Sequence, residues 1–154
     1  IMRARFIKTP EKRRIIKQLN EQFGIEELPY LLLETGKEKI RFFSGDLSKE
    51  EILKLSSIIN IELIGIYAIR KERNLRLSID AIHLLKSQIS KNIFEINDSQ
   101  LQDWIRGRDL YVEAPQGTLI IKHKEDFIGS GISTSTKILN HIPKDRRLKN
   151  NKHF

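Results

Sequence analysis

The side chains in this sequence that could do chemistry are mostly cations. Between Lys144 and Lys152, five of them (Lys144, Arg146, Arg147, Lys149 and Lys152) stand against Asp145 alone, a net charge of +4. Arg106, Arg108 and Lys137 precede them in the same half of the chain. Guanidinium forks match phosphate oxygens in pairs, so a run of this kind points to holding a polyanion rather than to making bonds. Just upstream, Gly129-Ser130-Gly131 follows the apolar pair Phe127-Ile128. Two glycines one residue apart predict a sharp backbone turn, or a place where another chain approaches closely. The segment is not a dinucleotide fingerprint, because the third glycine is missing and an extended stretch follows where a helix is needed.

Other chemistries find little support. His83, His123, His141 and His153 are scattered without metal-ligand spacing. Cysteine is absent, which removes disulfides, thiolate zinc sites and a cysteine nucleophile. No Ser/His/Asp grouping or paired carboxylate has a persuasive local context. The expectation is therefore no catalytic residue, no cofactor and no metal. The formal charge of +8 favours nucleic acid or an anionic surface as partner. A membrane span is not expected: the longest apolar stretch, near Ile58 to Ile69, is interrupted by Asn60 and Glu62. The basic N-terminus lacks the apolar centre of a secretory leader.

The elements that must position these cations follow from spacing. With 154 residues the chain has room for one ordinary domain or two small ones. Thr9-Pro10 predicts a helix start with Thr9 as N-cap; Ile15, Ile16, Leu19 and Phe23 follow at helical spacing, and Gly24 stops them. The opposite face carries Lys12, Arg13 and Lys17, and Arg3 to Lys17 sums to +6. Tyr30 to Leu33, a turn at Thr35-Gly36-Lys37, and Ile40 to Phe43 predict a hairpin. Phe42 and Phe43 are adjacent, so in a strand one of them is expected to face outward.

Ser48 and Glu51 have capping-box spacing ahead of Ile52, Leu55, Ile58 and Ile59, which predicts a second helix. Ile61 to Ile69 predicts a strand with a bulge at Gly65, and Leu75, Leu77 and Ile79 a half-exposed strand. Asp80 then opens a third helix. Beyond Ser90 come a short strand Ile93 to Ile96, a helix with Ser99 and Gln102 at capping-box spacing and Leu101, Trp104 and Ile105 on one side, and strands at Leu110 to Val112, Leu119 to Lys122, Phe127-Ile128 and Ile138 to Ile142. Trp104 is expected to pack rather than to stack on a base. The class is α+β: an antiparallel sheet with packed helices over residues 1–89, then a small β-rich barrel-like unit over residues 90–154.

The C-terminal residues resemble a PUA domain, the pseudobarrel of pseudouridine synthases, archaeosine transglycosylases and other RNA-handling proteins. The resemblance lies in Ile93 to Ile96, the helix Gln100 to Arg106, the Gly107-Arg108-Asp109-Leu110 turn, and Phe127-Ile128-Gly129-Ser130-Gly131. Lys137 to Arg147, read K-I-L-N-H-I-P-K-D-R-R, is also similar to the PUA-like tail of certain rRNA cytosine methyltransferases. Such enzymes need a cysteine nucleophile and a Rossmann domain, and neither is found in these residues. The N-terminal part resembles the pre-PUA domain of a ribosome-biogenesis family. It does so through Ile40 to Phe43, the helix from Ser48, Ile61 to Ile69, and Leu75-Arg76-Leu77 leading into Asp80-Ala81-Ile82.

These resemblances imply a non-catalytic RNA-binding protein in large-subunit ribosome assembly, or an RNA-targeting accessory subunit of a modification enzyme. Ribosomal RNA or its precursor is the implied ligand; pre-ribosomal proteins and the RNA exosome are the implied protein partners. The implied location is the cytoplasm, or the nucleolus in a eukaryote. Expected RNA-contacting residues are Arg106, Arg108, Gly129, Ser130, Gly131, Lys137, Lys144, Arg146, Arg147 and Lys149.

Overall fold

The structure, a computed structural model, describes residues 4–44, 48–58 and 65–149. Arg3, residues 59–64, and Lys152 and His153 of the basic tail lie outside the described residues, as do the side chains of Leu55 and Ile58. Two compact units divide the chain, Ile1–Lys91 and Asn92–Phe154.

In the first unit, five strands form an antiparallel sheet in chain order: β1 (Ala4–Phe6), β2 (Leu31–Thr35), β3 (Lys39–Phe43), β4 (Ile66–Lys71) and β5 (Leu75–Leu77). The β2–β3 hairpin is the one expected from its apolar runs. Strand β1, only three residues long, carries no periodicity of its own and exists by pairing Ala4 with Thr35 and Phe6 with Leu33. Helix α1 (Thr9–Phe23) begins one residue earlier than expected. Lys8 is its N-cap, without a side-chain cap, and Thr9 is already helical. It ends as expected at Gly24, which takes the left-handed conformation at φ 85°.

Both faces of this sheet are covered, which corrects the expectation that Phe42 or Phe43 faces outward. Phe43 packs with Leu33 and with Ile52 of helix α2 (Lys49–Ile58), flanked by Phe6 and Leu31. Phe42 points the other way and stacks on Tyr30, ring centroids 5.0 Å apart at 10°. The Ser48–Glu51 capping box is present, with Glu51 N–H donating to Ser48 Oγ at 3.1 Å and Ser48 N–H to Glu51 Oε1 at 3.3 Å. Gly65 is an exposed bend ahead of β4 rather than a bulge; the irregularity falls at Ala68, skipped between the pairs Arg41–Tyr67 and Ile40–Ile69. Ile79 does not extend β5: Ser78 caps helix α3 (Ile79–Leu84), accepting from Ala81 N–H at 3.1 Å. Glu34, almost wholly buried, ion-pairs with Arg5 and with Lys71 (2.9 Å), while Arg5 also pairs with Glu11 of α1 at 2.9 Å. These four charges tie β1, β2, β4 and α1 together.

In the second unit, β6 (Ile93–Glu95), β7 (Gly117–His123), β8 (Asp126–Ser133) and β9 (Ile138–Asn140) form a four-stranded sheet in that order, β6 parallel to β7 and the rest antiparallel. Helix α4 (Asp98–Trp104) lies between β6 and β7 in the chain. Its capping box is Asn97–Gln100, not Ser99–Gln102: Gln100 N–H donates to Asn97 Oδ1 at 2.8 Å and Asn97 N–H to Gln100 Oε1 at 2.9 Å. Leu110 to Val112 is not a strand; only Leu110 is bridged, to Ile138.

Gly129-Ser130-Gly131 is not a turn. The segment runs through the middle of β8, paired with β7 on one side, while Gly131 also pairs with Asn140 of β9. Gly129 is set by its backbone, at φ 148°, and Gly131 by the fully buried Trp104. A Cβ on Gly131 would stand 2.8 Å from Trp104 Cη2, 2.7 Å from Ile138 Cγ2 and 2.6 Å from the Leu139 carbonyl. The absent side chain is the space the indole fills.

Candidate nucleic-acid interface

After Trp104 the chain leaves α4 through a turn that only glycine can make. Gly107, at φ 84°, donates to the Trp104 carbonyl at 3.0 Å. A Cβ there would lie 2.3 Å from Arg147 Cδ and Nε, because the Arg147 side chain lies across the turn. Arg147 Nε donates to the Ile142 carbonyl at 2.9 Å, and Leu148 N–H reaches the Ile105 carbonyl at 2.7 Å. Asn140 closes the arrangement. Its Nδ2 donates to the carbonyls of Trp104 (2.8 Å) and Arg108 (2.9 Å), its Oδ1 accepts from Ile142 N–H (2.8 Å), and its own N–H donates to Asp109 Oδ1 (2.9 Å). Residues more than thirty positions apart are thereby brought together. The tail Lys144 to Lys149 and the turn Arg106 to Arg108 share one end of the unit.

Five of the sequence-predicted cations gather there, in unequal states. Lys144, Arg146 and Lys149 are exposed. Arg108 is exposed but ion-paired with Asp103 at 2.9 Å, and Arg106 Nη1 is bound to the Gln102 carbonyl (2.7 Å) and its side chain (3.0 Å). Arg147, the sixth, is half-buried and serves the frame rather than the surface. Lys137 stands apart: it precedes β9, three residues before Asn140, or about 10 Å along an extended chain. Gly129, Ser130 and Gly131, also expected to contact RNA, are buried within β8 rather than presented on an exposed turn.

Sequence reasoning missed two features of this unit. Asn140 looks like an ordinary polar residue in K-I-L-N-H-I-P, and its four hydrogen bonds could not be read from its neighbours. Tyr111 is 83% exposed, an unusual position for a large aromatic ring. Its signal was available: in the extended stretch Leu110 to Val112, with Leu110 turned inward, the alternation points Tyr111 the other way.

Among the described residues no three His, Asp or Glu side chains converge as a metal site would require. His123 Nε2 lies 2.8 Å from Asp98 Oδ1, joining the end of β7 to the first turn of α4. The hydrogen bond to His123, helped by the charge of Lys124, holds the Asp98 carboxyl below the usual range. No helix among the described residues is long and apolar enough to cross a membrane.

Comparison with known proteins locates this geometry. Residues 91–148 match the family described as the methyltransferase RsmF PUA domain. Over 63 residues the chain is 35% identical to ribosomal RNA small subunit methyltransferase F of Erwinia tasmaniensis, a stretch that is 40% of this chain and 13% of that enzyme. The chain thus spans only a small part of that relative's length. In three dimensions it is similar to a conserved PUA domain protein from Thermoplasma acidophilum, with a TM-score of 0.60 and 16% identity, covering 90% of this chain and 93% of that one. The fold is α+β, and its C-terminal unit is a PUA-type domain.

Proposed function

We propose that this protein binds RNA through its PUA-type unit and performs no catalysis in the residues at hand. The observation that carries the reading is the convergence of Arg106, Arg108, Lys144, Arg146 and Lys149 on one end of that unit, held by Asn140 and Arg147. Phosphate contacts position such a module, and the exposed cations supply them. Tyr111 adds an aromatic face on which an unpaired base stacks. The RNA is ribosomal in both forms of the proposal. In the first, the chain acts in large-subunit assembly alongside pre-ribosomal proteins and the exosome, which rests on the resemblance of its N-terminal half to a pre-PUA domain. In the second, it is the targeting part of an rRNA-modifying enzyme. The match over residues 91–148, and a relative named for small-subunit rRNA methylation, favour that second form.

Cross-linking the protein to cellular RNA and mapping the sites tests the reading. Enrichment of ribosomal RNA, with cross-linked peptides from residues 106–111 and 144–149, is the expected result. Large-subunit sites support the assembly role, and small-subunit sites the modification role. Recovery of no RNA above a bovine albumin control contradicts both.

A further inference from the structure

We propose that the outward face of α1 is a second phosphate-contacting surface, through which the N-terminal unit grips the backbone of the same RNA. The proposal rests on the RNA-binding reading above but on a different set of residues.

Helix α1 sends Ile15, Leu19 and Phe23 into the core. At 3.6 residues per turn, Arg13, Lys17 and Arg14 fall within an arc of about 100° on the opposite side. All three are exposed, as is Lys8 just before the helix. The other charges of its first turns are already used. Glu11 turns toward the sheet and pairs with Arg5 at 2.9 Å and Lys71 at 3.7 Å. Lys12 donates to the Tyr30 carbonyl at 2.7 Å, and burial lowers its pKa. Among the described residues, Lys8, Arg13, Arg14 and Lys17 make no ion pair or hydrogen bond through their side chains. The acid that follows on this face, Glu21, stands one turn beyond Lys17.

Composition of the face selects the partner. Its exposed helical residues are Thr9, Pro10, Arg13, Arg14, Lys17 and Glu21, without an aromatic or a large aliphatic side chain. A protein interface is built around a desolvated apolar centre, and none is offered here. A helix that lies on a membrane inserts its apolar face, and that of α1 is occupied by the core. What remains is a partner that presents charge alone and repeats it, which describes a phosphate backbone. From Lys8 to Lys17 the cations span about 14 Å of helix, enough to reach several consecutive phosphates.

The test uses the full chain, carrying Arg13→Glu, Arg14→Glu and Lys17→Glu together. Its affinity for a fluorescent single-stranded RNA is measured by anisotropy over about 50–200 mM salt. Thermal unfolding checks the fold, and the triple glutamine variant serves if the glutamates disturb it. The expected result is at least a tenfold loss of affinity at the low-salt end. The slope of log K against log salt should also become shallower by about two, at ~0.7 per lost phosphate contact. An unchanged affinity and slope overturn the proposal. If a variant reversed at Lys144, Arg146 and Lys149 weakens binding in the same assay, RNA binding by the PUA-type unit survives that failure. A wild-type chain that binds no RNA overturns both.

Discussion

Replacing Gly131 with alanine separates a core role for the Gly129-Ser130-Gly131 segment from a ligand-binding one. The added Cβ would sit 2.6 Å from the Leu139 carbonyl, 2.7 Å from Ile138 Cγ2 and 2.8 Å from Trp104 Cη2. The carbonyl belongs to the neighbouring strand β9, where Leu139 pairs with Ile132 next to Gly131, so it moves only if the β8–β9 pairing moves. Overpacking a well-filled core costs about 1–3 kcal/mol, and three contacts this close, one of them with backbone, place this site at about 3 kcal/mol. For a domain this small, each kcal/mol is worth about 4–8 °C, so the midpoint should fall by about 12–24 °C. The reporter is built in, because Trp104 is the only tryptophan in the chain and is fully buried in this unit. Its fluorescence follows the unfolding of the C-terminal unit alone. Below the lowered midpoint, the variant should bind RNA as the wild type does. A midpoint within about 0.5 kcal/mol of wild type, the ordinary range for a neutral surface change, would refute the packing argument. So would RNA binding lost with the fluorescence transition unmoved.

Further outcomes are expected elsewhere in the molecule. Glu34→Gln should destabilise the N-terminal unit by about 1–2 kcal/mol in urea unfolding followed by circular dichroism, because Arg5 and Lys71 lose their shared carboxylate yet remain exposed enough to hydrate. Glu11 is held below its ordinary pKa, first by the hydrogen bond from Arg5. A depressed folded value stabilises above the unfolded pKa, near 4.5, and that stabilisation is lost as pH falls through the lower folded value. Acid unfolding of this unit should therefore steepen below about pH 4.5, and Glu11→Gln should flatten it. In an NMR titration the Asp98 carboxyl should titrate below the usual range, and His123→Phe should move it upward. Arg147→Ala should release the tail and weaken RNA binding through lost order, whereas Arg147→Lys should not restore it, because lysine lacks the Nε that reaches the Ile142 carbonyl.

Much of the architecture was legible because its signals are local. The β2–β3 hairpin, the Ser48–Glu51 box and the Gly24 stop each depend on residues within one or two turns of one another. The misreadings share the opposite cause. Gly129-Ser130-Gly131 looks like a turn until Trp104, 27 residues before Gly131, is known to need the room there. Asn97 and Ser99 both offer capping-box spacing. Asn97, at φ −88° and ψ 177° and anchored by buried Ile96, holds the extended conformation that a cap requires. One of Phe42 and Phe43 is expected to face outward because two adjacent phenylalanines do not tell a sheet covered on both sides from one covered on a single side. At the candidate interface, the cations could be named from the sequence, but their sorting could not. By residue type Arg147 is as good a phosphate ligand as Arg146, and it is the one whose guanidinium lies across the Gly107 turn and donates to the Ile142 carbonyl.

The central claim is that a cluster of cations assembled by the α4 turn and the tail holds RNA through its phosphates. The most direct test is the salt dependence of RNA affinity for the full chain, beside a variant carrying Lys144→Glu, Arg146→Glu and Lys149→Glu. The account predicts steep weakening with salt for the wild type, and a slope shallower by about two for the variant. Equal slopes and equal affinities for the two proteins would contradict it.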